Sequence, residues 1–233
     1  MSNNIDAVVI VSGGLDSVTL LHHVVKTLKK SVAVITFNYG QRHALLEIPC
    51  AEYQVEELGL DRAFSVVDFE DIARNIFQNS ALMTRDIDVP EIDDVMGDPQ
   101  PITYVPNRNM IFLSIAFAYA ESVGASEVYY GAQKHDIYGY WDTTPDFLSA
   151  MNNVTELNRK NKIQIAAPFV DMSKADILQI GADLDVDYSK TWSCYEGRLD
   201  GLACGTCSTC AERLKAFSDA GIIDPVPYVS VDD

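Results

Sequence analysis

Val8-Val9-Ile10-Val11-Ser12-Gly13-Gly14-Leu15-Asp16-Ser17 is the stretch that organises the chain. An apolar, mostly β-branched run passes into a loop of small residues. Val18, Leu20, Leu21, Val24, Val25 and Leu28 then recur at helical spacing. That order predicts a buried strand, a tight loop and a helix N-terminus. Gly13 and Gly14 let the backbone turn sharply and approach an anion with no Cβ in the way. Exposed N–H groups and the positive end of the helix dipole favour negative charge there, and Ser12 and Ser17 add hydroxyls. Two common nucleotide loops are excluded. The lysine of G-x-x-x-x-G-K-[ST] is missing, and so is the G-x-G-x-x-G spacing. What stands here is S-G-G-x-D-S. Val11, Ser12, Gly13, Gly14, Leu15, Asp16 and Ser17 are therefore the expected nucleotide-binding residues. A carboxylate would repel phosphate directly, so Asp16 is expected either to cap the helix or to help hold magnesium.

The bulk properties bound the answer. A chain of 233 residues, 48% hydrophobic and 22% charged, can bury one substantial core and is not a disordered polymer. No apolar run approaches the roughly 18 residues that span a bilayer. The N-terminus lacks a basic segment followed by an apolar core, so no secretory signal is expected and the cytoplasm is the expected compartment. A formal charge of −17 argues against non-specific nucleic-acid binding, which needs Lys and Arg to replace counterions, but leaves room for a small anion in a locally basic pocket.

Outward from the loop, Ser31 to Phe37 reads as a second strand, His43 to Leu58 as a helix and Phe64 to Val67 as a third strand. The β-α-β-α-β order predicts a doubly wound parallel sheet with helices on both faces. Ligands in such sheets lie beyond the carboxyl ends of the strands, so the first loop and Tyr39-Gly40-Gln41-Arg42-His43 should share a rim. There Arg42 is expected to meet a phosphate or carboxylate, or else to form a surface ion pair, and Tyr39 to stack on a flat ring. Patterning weakens from 71 to 105, which is read as a lid-like loop over the site. Pro106 then holds the chain extended, Asn107 is a candidate cap, and Arg108 opens an apolar helix. Arginine is unfavourable at that end on dipole grounds unless an anion binds nearby. Glu127 to Gly131 reads as a fourth strand that delivers Asp136, Tyr140 and Asp142 to the rim, where carboxylates and aromatics suit a planar hydrogen-bond donor. Ser173 and Asp176 have capping-box spacing, and Lys174 beside them raises the same question as Arg108.

Cysteine usage is the second strong signal. Four of the five cysteines are Cys194, Cys204, Cys207 and Cys210, spaced C-x9-C-x2-C-x2-C. In a chain expected in the cytoplasm this predicts a tetrahedral thiolate zinc site, closed and therefore structural, with an iron–sulfur cluster as the rival. Cys50 falls in a helical stretch and reads as packing. Residues 1–190 are expected to form the nucleotide-binding domain, 191–221 the zinc-binding region with its helix, and 222–233 a peripheral tail.

Taken together, the S-G-G-L-D-S loop, Tyr39–His43, Tyr104-Val105-Pro106-Asn107-Arg108-Asn109, Thr191-Trp192-Ser193-Cys194-Tyr195 and the C-terminal cysteines resemble the 7-cyano-7-deazaguanine synthase family. The resemblance covers about Ala7 to Phe217. It implies the adenine nucleotide alpha hydrolase-like (PP-loop) α/β fold, ATP with magnesium, structural zinc and a homodimer. It also implies small-molecule substrates, with no direct nucleic-acid or membrane partner. The implied reaction adenylates 7-carboxy-7-deazaguanine, replaces AMP with ammonia, and activates the resulting amide with a second ATP to give the nitrile. That product would serve tRNA or DNA modification. Asp16, Arg42, Arg108 and Lys174 are the implied catalytic residues, and Tyr39, Gln41, Asn107, Asp136, Tyr140 and Asp142 join Arg42 and Arg108 around the substrate. One departure stands out. Many members carry Gly-Tyr-Pro-Asp-Cys-Arg where this chain has Gly139-Tyr140-Trp141-Asp142-Thr143-Thr144. An enzyme that stops at the amide or uses another amine is therefore the alternative. Sulfur transfer to tRNA and a non-catalytic nucleotide sensor are the others.

Overall fold

The computed structural model describes residues 5–134 and 140–229. Five strands, β1 (Ala7–Ile10), β2 (Val32–Asn38), β3 (Phe64–Asp68), β4 (Glu127–Tyr129) and β5 (Gln164–Ala166), form one parallel sheet in the order β3-β2-β1-β4-β5. Register runs through Val9 opposite Val34 on one side and Tyr129 on the other. The connecting helices are α1 (Leu15–His22), α2 (Ala44–Glu57), α3 (Glu70–Ile76), α4 (Ile92–Val95), α5 (Arg108–Val123), α6 (Pro145–Thr155), α7 (Lys174–Asp183) and α8 (Ser208–Ala220).

Alternation along the central strands builds two cores. Val8, Ala33, Ile35 and Phe37 pack with α3, α5 and α6. Ala7, Val9, Val32 and Val34 point the other way, onto Leu15 and Val18 of α1, Ile177 of α7 and Phe217 of α8. Both faces of β1 and β2 are buried, as a parallel sheet wound on both sides requires. Winding proceeds outward through β2 and β3, then restarts at β4 on the opposite side of β1. This reversal opens a crevice between the ends of β1 and β4.

Three expectations shift. The first helical run is not one α-helix, because α1 passes into a π-turn at His23–Thr27. Apolar spacing over a single turn does not separate the two. The stretch read as an irregular lid begins with α3. Its large apolar residues Ile72 and Ile76 face outward while Ala73 is buried, so the sequence carries no amphipathic signature there. Phe77 and Leu82 that follow are core residues. Of the stretch read as a peripheral tail, the described residues 222–229 fold back on the cysteine region. Ala203 donates to the Pro227 carbonyl, Val229 donates to the Ala203 carbonyl, and Val226 is buried.

Gly181 marks the joint between α7 and α1. A Cβ there would lie 1.8 Å from Tyr188 Oη and 3.0 Å from Thr19 Oγ1, two hydroxyls 2.8 Å apart in a buried hydrogen bond. Helix propensity favours alanine by about 1 kcal/mol. Displacing a buried, hydrogen-bonded ring costs about 1–3 kcal/mol, so the clash wins. Gly181→Ala is expected to lower the urea midpoint by the equivalent of up to about 2 kcal/mol, without changing the m-value.

Candidate active site

The first loop is braced from within by its serines. Ser12 N–H donates to Ser17 Oγ (3.1 Å), Gly14 N–H to Ser12 Oγ (3.2 Å), and Ser17 Oγ–H to the Gly14 carbonyl (3.1 Å). From outside, Trp192 N–H donates to the Gly13 carbonyl at 3.0 Å. Gly14 is the N-cap of α1 and, as a glycine, has no side chain with which to cap it. Asp16 sits in the first turn of this helix. Ser12, Gly14, Leu15, Asp16 and Ser17 line a cleft of about 240 Å³ in the crevice between β1 and β4. Val11 lines it from the end of β1, whereas Gly13 packs behind the loop against the first turns of α2.

Opposite the loop, Arg108 donates to Tyr39 Oη at 3.1 Å. Both residues line the cleft. Tyr39 is buried, with its ring packed among Phe69, Phe77 and Phe112, so it anchors Arg108 instead of offering an open stacking face. Burial pushes its phenol above the ordinary range. Asp142 is buried and not in the lining. Its carboxylate accepts from the backbone N–H of Asn109 at 3.3 Å and so supplies an acceptor at the N-terminus of α5. That explains an arginine at an unfavourable helix end. Burial raises the Asp142 pKa, and neighbouring Arg108 pulls it back. Tyr140 does line the cleft, with its hydroxyl 3.2 Å from Thr103 Oγ1 and its ring 6.0 Å from that of Tyr104. Asp136 lies outside the described residues.

Several expected site residues serve the scaffold. Arg42 is not in the lining. Its guanidinium donates to the carbonyls of Ala81 and Ile87 and pairs with Glu196 at 2.7 Å, tying the 80s segment to the cysteine region. Gln41 touches the cleft, but its amide is engaged: Oε1 accepts from Tyr39 N–H and Nε2 donates to the Phe37 carbonyl. Asn107 is exposed, adopts φ +55°, caps nothing with its side chain, and donates its N–H to Tyr104 Oη. The short polar side chain tolerates that left-handed turn into α5.

Lys174 opens α7 behind a complete Ser173–Asp176 capping box and reaches the cleft. Its ammonium pairs with Glu212 at 2.8 Å and with Asp16 at 3.7 Å. Burial disfavours the charge, but the two carboxylates outweigh it and the pKa stands above the ordinary lysine value. Glu212 was not singled out in the sequence, although a lysine in a first helical turn needs a counter-charge. Glu47, His43 and Tyr130 also line the cleft. Among the described residues, buried Tyr130 Oη and His43 Nδ1 have no hydrogen-bond partner, as groups awaiting a ligand can be.

The four cysteines converge as expected. Their sulfurs lie within 4.8 Å of one another, with Cys204 Sγ 3.8 Å from Cys210 Sγ. Cys204 N–H donates to Cys194 Sγ and Cys207 N–H to Cys204 Sγ. This is a metal-binding set. It adjoins the cleft, because Trp192 and Ser193 precede Cys194, and Thr209 and Glu212 flank Cys210 in α8, and all four line the cleft. The departure at 141–144 is mostly scaffold. Trp141 Nε1–H donates to Tyr104 Oη, Thr144 caps α6, and of Trp141, Thr143 and Thr144 only Thr143 lines the cleft.

Comparison with known proteins agrees with this geometry. The family described as queuosine biosynthesis protein QueC matches residues 6–221. The 7-cyano-7-deazaguanine synthase 1 of Colwellia psychrerythraea is 42% identical over 95% of this chain and 97% of its own length. The 7-cyano-7-deazaguanine synthase of Thermoplasma volcanium is 43% identical over 95% of this chain and 90% of its own. Among solved structures, the U34-tRNA thiolase NcsA from Methanococcus maripaludis overlaps at TM-score 0.48 and 16% identity, over 93% of this chain and 65% of that one. With a loop, a cleft and a cysteine set in these positions, and matches of this extent, the chain belongs to the QueC family.

Proposed function

We propose that the chain makes 7-cyano-7-deazaguanine from 7-carboxy-7-deazaguanine, ammonia and two molecules of ATP. The observation that carries this reading is a cleft lined together by the braced S-G-G-L-D-S loop, Arg108, Lys174 and the aromatic residues Phe37, Phe112 and Tyr140. A carboxylate oxygen of the substrate attacks the α-phosphorus and pyrophosphate leaves. Ammonia then displaces AMP, giving the amide and releasing a proton. In the second round the amide oxygen attacks the α-phosphorus of another ATP and pyrophosphate leaves, and loss of AMP with the two amide protons then gives the nitrile. No covalent nucleophile is needed. The protein's work is positioning and the stabilisation of charge on phosphate. The loop N–H groups and Lys174 suit the phosphates, Arg108 suits an anionic oxygen, and Tyr140 suits the deazapurine.

Asp16 would hold a magnesium ion through its carboxylate, and the ion would neutralise charge on the leaving pyrophosphate. The cysteine set suits one zinc ion with a structural role. Tetrahedral metal–sulfur bonds of about 2.3 Å put sulfurs about 3.8 Å apart, the spacing between Cys204 and Cys210. Stripping the metal with a strong chelator is expected to lower the melting temperature by about 10 °C or more. Elemental analysis of the untreated protein is expected to give one zinc per chain. Iron with acid-labile sulfide would instead identify a cluster.

Sulfur transfer to tRNA would call for a reactive thiol in the catalytic half. Cys50, the one cysteine outside the metal set, does not line the cleft, and burial pushes its thiol up to about 11. The nitrile reading is tested by mass spectrometry of a reaction holding ATP, magnesium, ammonium and 7-carboxy-7-deazaguanine. Nitrile with AMP is the expected result. Amide alone would assign the chain to an enzyme that stops after the first round, and no turnover would contradict the substrate.

A further inference from the structure

The Lys174 ammonium lies between two carboxylates, and these belong to different parts of the fold. Asp16 comes from the first turn of α1, in the nucleotide loop. Glu212 comes from the first half of α8, two residues beyond Cys210 of the metal set. All three line the cleft and are mostly buried, with side-chain exposures of 17% for Lys174, 13% for Glu212 and 24% for Asp16. The two pairings are unequal. Glu212 accepts a hydrogen bond at 2.8 Å, whereas Asp16 stands back at 3.7 Å, beyond a good hydrogen bond. A lysine is a compact charge on a flexible stem and settles on whichever carboxylate holds it. Among the described residues no third carboxylate pairs with Lys174, so without Glu212 the ammonium would close on Asp16.

We propose that Glu212 is a positioning residue of the nucleotide site: by holding Lys174 toward α8 it keeps that cation from closing on Asp16, and so sets the affinity of the loop for the divalent cation that accompanies ATP. This rests on the reading of Asp16 as a carboxylate that takes such an ion. An ammonium tightly paired with Asp16 and a divalent cation on the same oxygen exclude each other, by charge and by occupancy. Glu212 sits on α8, whose N-cap is Cys207, so a metal held by the cysteines would serve the cleft by fixing where that helix starts. The structural role of the metal and the chemistry of the loop thus meet at one ion pair.

The test is a manganese titration followed by electron paramagnetic resonance, on the metal-loaded full chain with an α,β-methylene analogue of ATP. Glu212→Gln keeps the shape and removes the charge, and is expected to weaken manganese binding by about fivefold. Glu212→Asp, whose carboxylate is retracted by one methylene, is expected to fall between. In a Lys174→Gln background the Glu212→Gln substitution is expected to have no further effect, since the coupling runs through the ammonium. A merely structural role would survive that background. Zinc content, measured on the same samples, is expected to stay unchanged and shows that α8 remains in place. Should Glu212→Gln disturb the metal content, Glu212→Asp carries the test. Asp16→Asn separates the two levels. If it weakens manganese binding while the Glu212 variants do not, the positioning role is overturned and the Asp16 reading stands. If Asp16→Asn has no effect, both fall.

Discussion

Gly13→Ala is expected to lower the rate of pyrophosphate release by more than about a hundredfold and to cost about 2–4 kcal/mol of stability. Two independent effects add. Gly13 adopts φ +96°, a conformation that a Cβ makes strained. An added Cβ would also lie 2.1 Å from the Glu47 carbonyl oxygen and 3.1 Å from the Ala51 nitrogen. These are backbone atoms of α2, so no rotamer change relieves the overlap. The loop must move away from α2, and its brace to Trp192 N–H moves with it. Gly14→Ala is the control. Gly14 has φ −78° and ψ 161°, ordinary extended backbone, and its Cβ would meet Ser12 Oγ at 3.3 Å and the Trp192 carbonyl at 3.5 Å. That substitution is expected to lower the rate by at most about tenfold, because the contacts are tight but not forbidden. Equal effects at both positions, measured by a coupled pyrophosphate assay, would remove the steric argument.

Arg213→Met is expected to give the largest loss of stability, about 3–5 kcal/mol, because it strands a buried charge. The guanidinium is almost wholly buried and donates to both Asp224 oxygens at 2.8 and 3.0 Å, to Thr191 Oγ1, to Ser193 Oγ and to the Tyr188 carbonyl. It therefore joins α8, the strap before Cys194 and the returning C-terminal stretch. Asp224 would keep Tyr228 Oη–H and Val226 N–H as donors but lose its counter-charge. For a chain of this size the melting temperature is expected to fall by about 10 °C. Adding Asp224→Asn removes the stranded charge and should recover part of the loss. A double variant no more stable than the single one would show that packing on Phe217, 5.1 Å from the guanidinium, matters more than the charge.

How much of this was legible in the sequence follows from where the signal is local. β1, its loop and α1 are encoded within sixteen consecutive residues, Ala7–His22, and the four cysteines state their own convergence, so both are legible. Residues at strand ends could be placed on the rim but not aimed. Arg42 and Arg108 carry the same charge at equivalent positions, yet one turns away to Glu196 and the other faces the cleft. Only the packing of the 80s segment separates them. Asp142 read as a ligand for a planar base because its role at the start of α5 joins residues 33 positions apart. α3 carries no helical periodicity in sequence because alanine, not isoleucine, forms its buried side. Glu212 is not legible locally because its partner is 38 residues away in sequence, although Lys174 in a first helical turn demands one.

The central claim is that one cleft performs two adenylations on the same carbon substituent. Oxygen bookkeeping tests it most directly. With 7-carboxy-7-deazaguanine labelled in both carboxylate oxygens by oxygen-18, the first AMP carries away one labelled oxygen and the second carries away the other. Mass spectrometry of the nucleotide is therefore expected to find two singly labelled AMP for each unlabelled nitrile. One labelled AMP with a product that keeps the second label would stop the reaction at the amide. Unlabelled AMP would mean that neither oxygen was activated by adenylation, and would contradict the account.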